Sequence, residues 1–223
     1  MGMARVMKIK GNQMAMTFKI PKIYPITDKR MANRSTHLSI LKELARGGAT
    51  FVQIRDKSTP VKELLRDLIR CIAFAEKNGI TLIVNDRCDL ALSSGAMGVH
   101  LGQDDLPPFN ARQLLGKRVI GFSTHSIHQA RLAQNAPIDY LAFGPVFDTS
   151  SKEHASPTVG LTMLSRVCKM SSLPVVAIGG IGLEQVAPVL TAGASCVAVI
   201  SAIMQSPNIA LQTERFIEKA MGR

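Results

Sequence analysis

The sequence of 223 residues predicts a single (β/α)8 TIM barrel. From residue 22 onward, short runs rich in β-branched residues alternate with longer segments of helical periodicity. Eight such βα units occupy about 200 residues, roughly 25 each, which suits a compact barrel. Polar residues also collect after the strand runs rather than before them, with Asp139 as the isolated exception. A doubly wound open sheet shares the alternation and is the structural alternative.

The elements follow in order along the chain. The predicted strands are residues 23–27, 50–54, 81–84, 98–101, 119–123, 140–143, 175–178 and 196–200. The predicted helices are residues 36–46, 61–77, 88–94, 109–115, 126–135, 160–170, 183–192 and 208–220. Gly47-Gly48 and Asn78-Gly79 follow the first two helices, as expected for helix C-caps.

The formal charge of +11 raises the question of nucleic-acid binding. Residues 1–22 hold five basic and no acidic residues, which leaves +6 for the rest of the chain. We therefore expect a flexible basic extension over residues 1–21 and one catalytic domain over residues 22–223. Aromatic residues make up 4% of the chain and Trp is absent, so the stacking platforms of nucleic-acid binders are not indicated.

Membrane and secretory signals are not indicated either. The apolar runs are far shorter than the roughly 18 residues of a membrane span, and the extension has no apolar core of a signal peptide. The four cysteines are scattered without close pairs, which favours reduced thiols over a zinc site or disulfides. We expect a cytoplasmic protein.

The segment after the second strand carries long polar side chains at alternate positions, Gln53, Arg55 and Lys57. Alternate residues of an extended segment point to the same side. Arg binds phosphate oxygens in bidentate fashion and Lys adds a point charge, so the set suits a diphosphate. A solvated strand end is the simpler alternative.

Carboxylates follow the next two strands. Asp86, after Asn85, and Asp105 are expected at neighbouring strand ends, where two carboxylates can share one Mg²⁺ that also binds substrate phosphate. Local turn capping by Asn and Asp is the alternative.

A polar loop over residues 144–159 follows the sixth strand. It holds three successive hydroxyls and a lysine that suit phosphate oxygens, and Gly179-Gly180 and Ser201 follow the last two strands, where barrels commonly bind phosphate. Among the histidines, His125 is the candidate for a chemical or binding role and His128 is expected on a helix surface. No nucleophile elbow is present.

Taken together, these motifs resemble the thiamine phosphate synthase family from about residue 21 to 204. The motifs are YPITD (24–28), VQIRDK (52–57), VNDR (84–87), GVHLGQDD (98–105), GFSTHS (121–126), the 144–152 loop, AIGGI (177–181) and VISAI (199–203).

The resemblance implies roles for individual residues. Arg55, Lys57, Ser123 and Lys152 would be catalytic. The aminopyrimidine diphosphate would contact Gln53, Ile54, Arg55, Asp56, Lys57, Asn85, Ser123 and Lys152. The thiazole phosphate would contact Thr149, Ser150, Ser151, Gly180, Ile200 and Ser201. Asp86 and Asp105 would ligate one Mg²⁺ per subunit. In this family diphosphate leaves first, and the thiazole nitrogen captures the resulting pyrimidinylmethyl cation.

Some positions depart from the family pattern, notably Asp148, where proline is usual, Met97 and Ser195-Cys196. The related thiazole tautomerases are the nearest alternative, but they lack the full diphosphate and metal set that is intact here. The implied partners are two small-molecule substrates, with no nucleic acid and no membrane, and a homo-oligomer as a further option.

Overall fold

The computed structural model describes residues 20–149 and 157–222. All eight strands of the described part are parallel and form one sheet in the order β1-β8-β7-β6-β5-β4-β3-β2. They are β1 (Ile23–Pro25), β2 (Phe51–Ile54), β3 (Thr81–Asn85), β4 (Gly98–Leu101), β5 (Val119–Thr124), β6 (Tyr140–Phe143), β7 (Val175–Ile178) and β8 (Cys196–Val199).

The two ends of this order meet. Ile26 bridges to Gln53, and the Thr27 N–H donates to the Gln53 carbonyl at 2.9 Å, which joins β1 to β2. An open sheet would leave β1 and β2 as unpaired edges. The barrel prediction is therefore confirmed, and the doubly wound alternative is wrong.

Helices follow the strands on the outside of the barrel. They are α1 (Lys29–Ala32), α2 (His37–Arg46), α3 (Val61–Lys77), α4 (Cys88–Ser94), α5 (Pro108–Leu115), α6 (Ile127–Ala133), α7 (Gly160–Met170), α8 (Val186–Thr191), α9 (Ser201–Met204) and α10 (Ile209–Ala220). Among these described helices, none combines the length and the apolar character that a membrane span requires.

The sequence prediction is wrong at three helices. The four-residue helices α1 and α9 are too short to show a helical period. The predicted helix 183–192 divides into a 3₁₀ turn, Leu183–Gln185, and α8. Pro188 explains the division: it lacks an N–H, which the first turn of α8 does not need but the interior of a longer helix would.

Buried side chains form two groups. The larger group packs between the strands and the surrounding helices. The smaller group, which includes Tyr24, Phe51, Tyr140 and Cys196, fills the barrel interior. The Tyr24 and Phe51 rings meet edge to face with centroids 4.6 Å apart. Fully burying a large apolar side chain contributes about 1.5–3 kcal/mol, so this interior holds the strands together.

The isolated polar residue at the opposite end of the barrel is structural. Asp139 Oδ2 accepts hydrogen bonds from Arg112 Nη2 and from the Ile120 N–H, both at 2.7 Å. This aspartate therefore ties α5 to the start of β5 and β6. Of the predicted extension 1–21, only Ile20 and Pro21 belong to the described residues.

Candidate active site

Arg55 and Lys57 leave β2 at the carboxyl end of the barrel. The Arg55 N–H donates to Thr27 Oγ1 at 3.2 Å, and its Nη1 donates to Asp28 Oδ2 at 3.1 Å. Lys57 is more exposed, and its Nζ lies 2.5 Å from Asp86 Oδ2. Two cationic groups are thus held at one edge of the barrel mouth, one half-buried and one open to solvent.

Three neighbours of these cations point elsewhere. Gln53 lies in the barrel interior, 1% exposed, with Nε2 donating to the Tyr24 hydroxyl at 2.9 Å. The Ile54 side chain is buried in the group between strands and helices, so only its backbone faces the mouth. Asp56 turns away from the mouth toward α2.

Asp56 is the centre of a hydrogen-bond cluster. Its carboxylate contacts His37 Nε2 at 3.0 Å and Lys29 Nζ at 3.1 Å, and accepts from the N–H groups of Ser58 and Thr59. Burial opposes its charge, but the hydrogen bonds from His37, Thr59 and Ser58 hold the pKa of Asp56 well below its ordinary value. The cluster fixes the loop that presents Arg55 and Lys57.

Two carboxylates face each other where β3 and β4 end. Asp86 adopts a left-handed conformation with φ of 62°, and its N–H donates to the His100 carbonyl at 2.7 Å. Asp105 Oδ2 accepts from the Gly102 N–H at 2.6 Å. Burial, and then the adjacent Asp86 carboxylate, raise the pKa of Asp105 above its ordinary value.

This pair fits a divalent cation with oxygen ligands, because a cation near both carboxylates offsets the burial of their charge and the repulsion between them, the two effects that raise the pKa of Asp105. No larger group of metal-binding His, Cys, Asp or Glu side chains occurs within residues 20–149 and 157–222. Mg²⁺ usually takes one or two protein carboxylates and completes its shell with water and phosphate, so two suffice.

Ser123 lies near the end of β5 and is buried. Its Oγ lies 2.9 Å from His100 Nε2, and its carbonyl accepts from Gln103 Nε2 at 2.6 Å. Asn85, half-buried at the end of β3, is the register partner of His100. Ser123 and Asn85 therefore end at the same mouth as Arg55, Lys57 and the carboxylate pair.

The phosphate-binding candidates lie at the ends of β6, β7 and β8. Gly180, with φ of 66°, packs so closely on the backbone of Phe147 and Asp148 that a Cβ would collide with it. Thr149 is the last described residue before the gap, and Ser150, Ser151 and Lys152 lie outside the described residues. Ser201 begins α9, whose N–H groups at Ile203 and Met204 donate to the Ile200 carbonyl.

The ends of this loop are tied to each other. Thr158 Oγ1 donates to Asp148 Oδ1 at 2.6 Å, and the Val159 N–H donates to the Pro145 carbonyl at 2.8 Å. Asp148 thus has a partner on the far side of the loop.

Two histidines differ in placement as expected. His125 is half-buried at the mouth, and its Nδ1 lies 2.6 Å from the Gly144 carbonyl. His128 is exposed on α6, which confirms the prediction of a helix surface. Sequence reasoning missed His37, Tyr24 and Tyr140, because each lies in an ordinary helix or strand and acquires polar partners only through the tertiary fold.

Known proteins resemble this chain along most of its length. The family model described as thiamine monophosphate synthase matches residues 23–203. The thiamine-phosphate synthase of Koribacter versatilis is 43% identical over 203 residues, covering 87% of this chain and 94% of the relative. The thiamine-phosphate synthase of Methanospirillum hungatei is 41% identical over 198 residues, covering 88% of this chain and 96% of that relative. The solved thiamine phosphate pyrophosphorylase from Pyrococcus furiosus is 32% identical with a TM-score of 0.83, covering 90% of this chain and 96% of that one.

Proposed function

The chain belongs to the thiamine monophosphate synthase family, and we propose that it joins an aminopyrimidine methyl diphosphate to a thiazole phosphate. The products are thiamine phosphate and diphosphate. The pyrimidine methylene carbon loses its bond to the diphosphate oxygen and gains a bond to the thiazole nitrogen. The protein is then a transferase of thiamine biosynthesis that acts on small molecules.

The observation that carries this proposal is the convergence of cations and paired carboxylates at one barrel mouth. Arg55 and Lys57 supply positive charge beside Asp86 and Asp105, which would hold Mg²⁺. When bound, the ion supplies further positive charge for the diphosphate oxygens. A diphosphate matches this combination better than a single carboxylate or a neutral ligand does.

The chain's own groups act on the leaving diphosphate. Negative charge grows on its bridging oxygen as the carbon–oxygen bond breaks, and the Arg55 guanidinium, the Lys57 ammonium and, we propose, Lys152 stabilise it. Arg55 is held for this role by Asp28 and by the Thr27 hydroxyl. The reaction requires no protein nucleophile, because the leaving group departs before the thiazole nitrogen attacks.

The other proposed contacts surround these cations. Gln53, Ile54, Asp56, Asn85 and Ser123 complete the proposed pyrimidine side, with Ile54 limited to its backbone and Asp56 acting through the loop. Thr149, Ser150, Ser151, Gly180, Ile200 and Ser201 form the proposed thiazole phosphate side. The close packing of Gly180 on the 147–148 backbone supports a phosphate site there, since it brings the ends of β6 and β7 together.

We further propose that the protein acts in the cytoplasm, consistent with four free cysteines among the described residues. A homo-oligomer is compatible with this function but is not needed for it, since every proposed site residue comes from one chain.

The deciding experiment supplies both phosphorylated precursors to the purified protein and measures thiamine phosphate, first with Mg²⁺ and then with excess chelator. A parallel assay follows tautomerisation of the carboxylated thiazole phosphate. We expect coupling with Mg²⁺ only, and no tautomerisation. Full coupling in chelator would contradict the metal assignment, and tautomerisation without coupling would favour the tautomerase alternative.

A further inference from the structure

A chain of polar side chains crosses the barrel interior. It runs from Gln53 Nε2 to the Tyr24 hydroxyl (2.9 Å), on to the Tyr140 hydroxyl (3.0 Å), then to His100 Nδ1 (3.0 Å), and from His100 Nε2 to Ser123 Oγ (2.9 Å). Its members come from β2, β1, β6, β4 and β5. Barrel interiors are usually filled by branched apolar side chains, so a continuous polar chain is unusual there.

The two ends of this chain differ from its middle. Gln53 and Ser123 are contacts of the pyrimidine in the proposed function, whereas Tyr24, Tyr140 and His100 have no role in it. All three are buried, with exposures of 1%, 0% and 7%. Such groups are costly to bury unless every one is hydrogen-bonded, so their presence below the proposed site calls for an explanation.

Gly121 makes room for the middle of the chain. A Cβ at this position would collide with the Tyr140 ring and would lie 2.5 Å from His100 Nδ1. The His100 and Tyr140 rings stack with an interplanar angle of 21° and centroids 5.5 Å apart. The glycine therefore allows the imidazole and the phenol to meet in one fixed arrangement.

The orientation of the Gln53 amide decides the sense of every hydrogen bond in this series. With Nε2 facing Tyr24, Gln53 donates to the Tyr24 hydroxyl, which leaves the proton of that hydroxyl for Tyr140, although either hydroxyl can donate at this distance. Tyr140 then donates to His100 Nδ1. Burial raises the pKa of Tyr24 and of Tyr140 well above the ordinary value, so each phenol keeps one proton to donate.

The direction of these hydrogen bonds determines whether the Ser123 hydroxyl is free to donate. Because Nδ1 accepts, neutral His100 carries its proton on Nε2 and donates to Ser123 Oγ. Within the part of the chain that the structure describes, Ser123 Oγ has no other hydrogen-bond partner. Its own proton is then directed to whatever occupies the site.

We infer that Tyr24, Tyr140 and His100 are positioning residues that hold Ser123 as a hydrogen-bond donor toward an acceptor atom of the substrate. This inference rests on the proposed function, in which Ser123 contacts the aminopyrimidine diphosphate, whose unprotonated ring nitrogens are acceptors of the required kind. This series of hydrogen bonds favours a substrate that has an acceptor atom opposite Ser123 Oγ and disfavours one that has a donor there.

The same distances permit the opposite sense if the Gln53 amide is reversed. Tyr24 would then donate to Gln53, Tyr140 to Tyr24, and His100 Nδ1–H to Tyr140, so that Ser123 would donate to His100 Nε2. The serine would then offer the substrate a lone pair instead of a proton. The two senses differ in the tautomer of one histidine, which can be measured.

The first test uses the full chain labelled with ¹⁵N-histidine, without substrates, and reads tautomers from the ring nitrogen shifts in NMR. We expect the Nε2–H form for His100. His125 is the internal control, because its Nδ1 faces the Gly144 carbonyl, which only accepts, so it must be protonated at Nδ1. His100→Gln and His125→Gln assign the signals. An Nδ1–H form or an imidazolium at His100 would overturn the inference, whatever the enzyme assay shows.

The second test is a double-mutant cycle of Tyr140→Phe and Ser123→Ala. Tyr140→Phe removes one oxygen and the proton that sets the tautomer, and we expect a loss of about tenfold in kcat/KM for the pyrimidine diphosphate. In the Ser123→Ala background the same change should cost almost nothing. Equal losses in both backgrounds would mean that Tyr140 only supports the fold.

Tyr24→Phe provides a second variant, with a smaller expected loss because Tyr140 can still donate to His100. If either phenylalanine variant fails to fold, the NMR result on the unmodified protein still decides. An inactive unmodified protein with His100 in the Nε2–H form would refute the proposed function while leaving the hydrogen-bond sense intact.

Discussion

Asp86 combines features that a turn-capping aspartate does not need. Its backbone is left-handed at φ 62°, its carboxylate contacts Lys57, and a second carboxylate, Asp105, lies beside it. A non-glycine residue in this conformation is uncommon and carries a cost in free energy. The proposed site thus holds like charges together at the expense of stability, as binding sites often do.

The carboxylate pair predicts opposite effects of Asp105→Asn with and without metal. In chelator the variant should be more stable than the unmodified protein by roughly 0.5 kcal/mol, because the repulsion from Asp86 is relieved. In saturating Mg²⁺ the order should reverse, since only the unmodified protein gains free energy from binding the ion. Urea unfolding under both conditions measures this. Asp89→Asn, at an exposed pair with Arg87, is the control and should show no reversal.

Replacement of Arg55 should lower catalysis without unfolding the protein. Arg55→Ala should lower kcat by about 100-fold or more, the scale seen when a group that stabilises developing negative charge is removed. Arg34→Ala is the matched control, because Arg34 pairs with Glu43 outside the site. Steady-state kinetics and thermal unfolding of both variants are needed. Equal activity of the two would show that Arg55 does not contact the diphosphate.

At the scale of residues, the sequence predicted correctly those side chains whose spacing alone places them on the same side of a strand. Arg55 and Lys57 alternate along an extended segment, and both emerge at the mouth. It could not find His37 or the tyrosine pair, whose partners lie far away in sequence: Tyr24 and Tyr140 are 116 positions apart. It also assigned Asp56 to the substrate side, whereas the carboxylate points toward His37 and Lys29, because only the fold reveals those partners.

At the scale of elements, the loop after β2 depends on α2. Thr27 Oγ1 lies 2.8 Å from His37 Nδ1 and accepts from the Arg55 N–H, while His37 Nε2 meets Asp56. The buried histidine therefore joins the end of β1, the start of α2 and the loop that carries the cations. Loss of any one of these hydrogen bonds should make the position of the Arg55 side chain less fixed.

This cluster predicts a pH-dependent stability. The pKa of Asp56 is lowered in the folded state, so its ionised form stabilises the fold above the unfolded pKa of about 3.9, and this stabilisation is lost as pH falls further. The unmodified protein should lose stability between about pH 4 and pH 2, and Asp56→Asn should lose less. Urea unfolding across this range is the measurement. Parallel pH curves for the two proteins would contradict the assignment.

All eight predicted strands are present. The strands β4, β6 and β7 match the expected bounds, and so do the helices α3, α4 and α7. Helices that contain a proline or are shorter than two turns were harder to predict. Pro188 divides the predicted helix 183–192, and the four residues of α9 are too few to show a helical repeat of apolar residues. Those short elements lie next to the proposed phosphate side, where the sequence was least informative.

At the scale of the whole molecule, the described residues of the proposed site lie toward one end of the barrel. The strand ends that carry Arg55, Asp86 and Ser123 open at the mouth, and the Asp139 network closes the opposite end. Ile20 and Lys22 precede β1, so they lie at that opposite end. Ile20 packs against the interior group, and the Lys22 carbonyl accepts from the Val197 N–H at 2.8 Å.

This polarity predicts where the chain can be shortened. Deleting residues 1–19 removes four basic and no acidic residues, which takes the formal charge from +11 to +7. It should leave kcat/KM unchanged, because the described chain begins at Ile20, at the end of the barrel opposite the mouth. Deleting residues 1–22 is the matched control: it also removes the Ile20 packing and the Lys22 hydrogen bond, and should lower the melting temperature by several degrees, on the scale of about 1–2 kcal/mol. Kinetics and thermal unfolding of both truncations decide the matter. A large loss of activity in the shorter deletion would place part of residues 1–19 in the site.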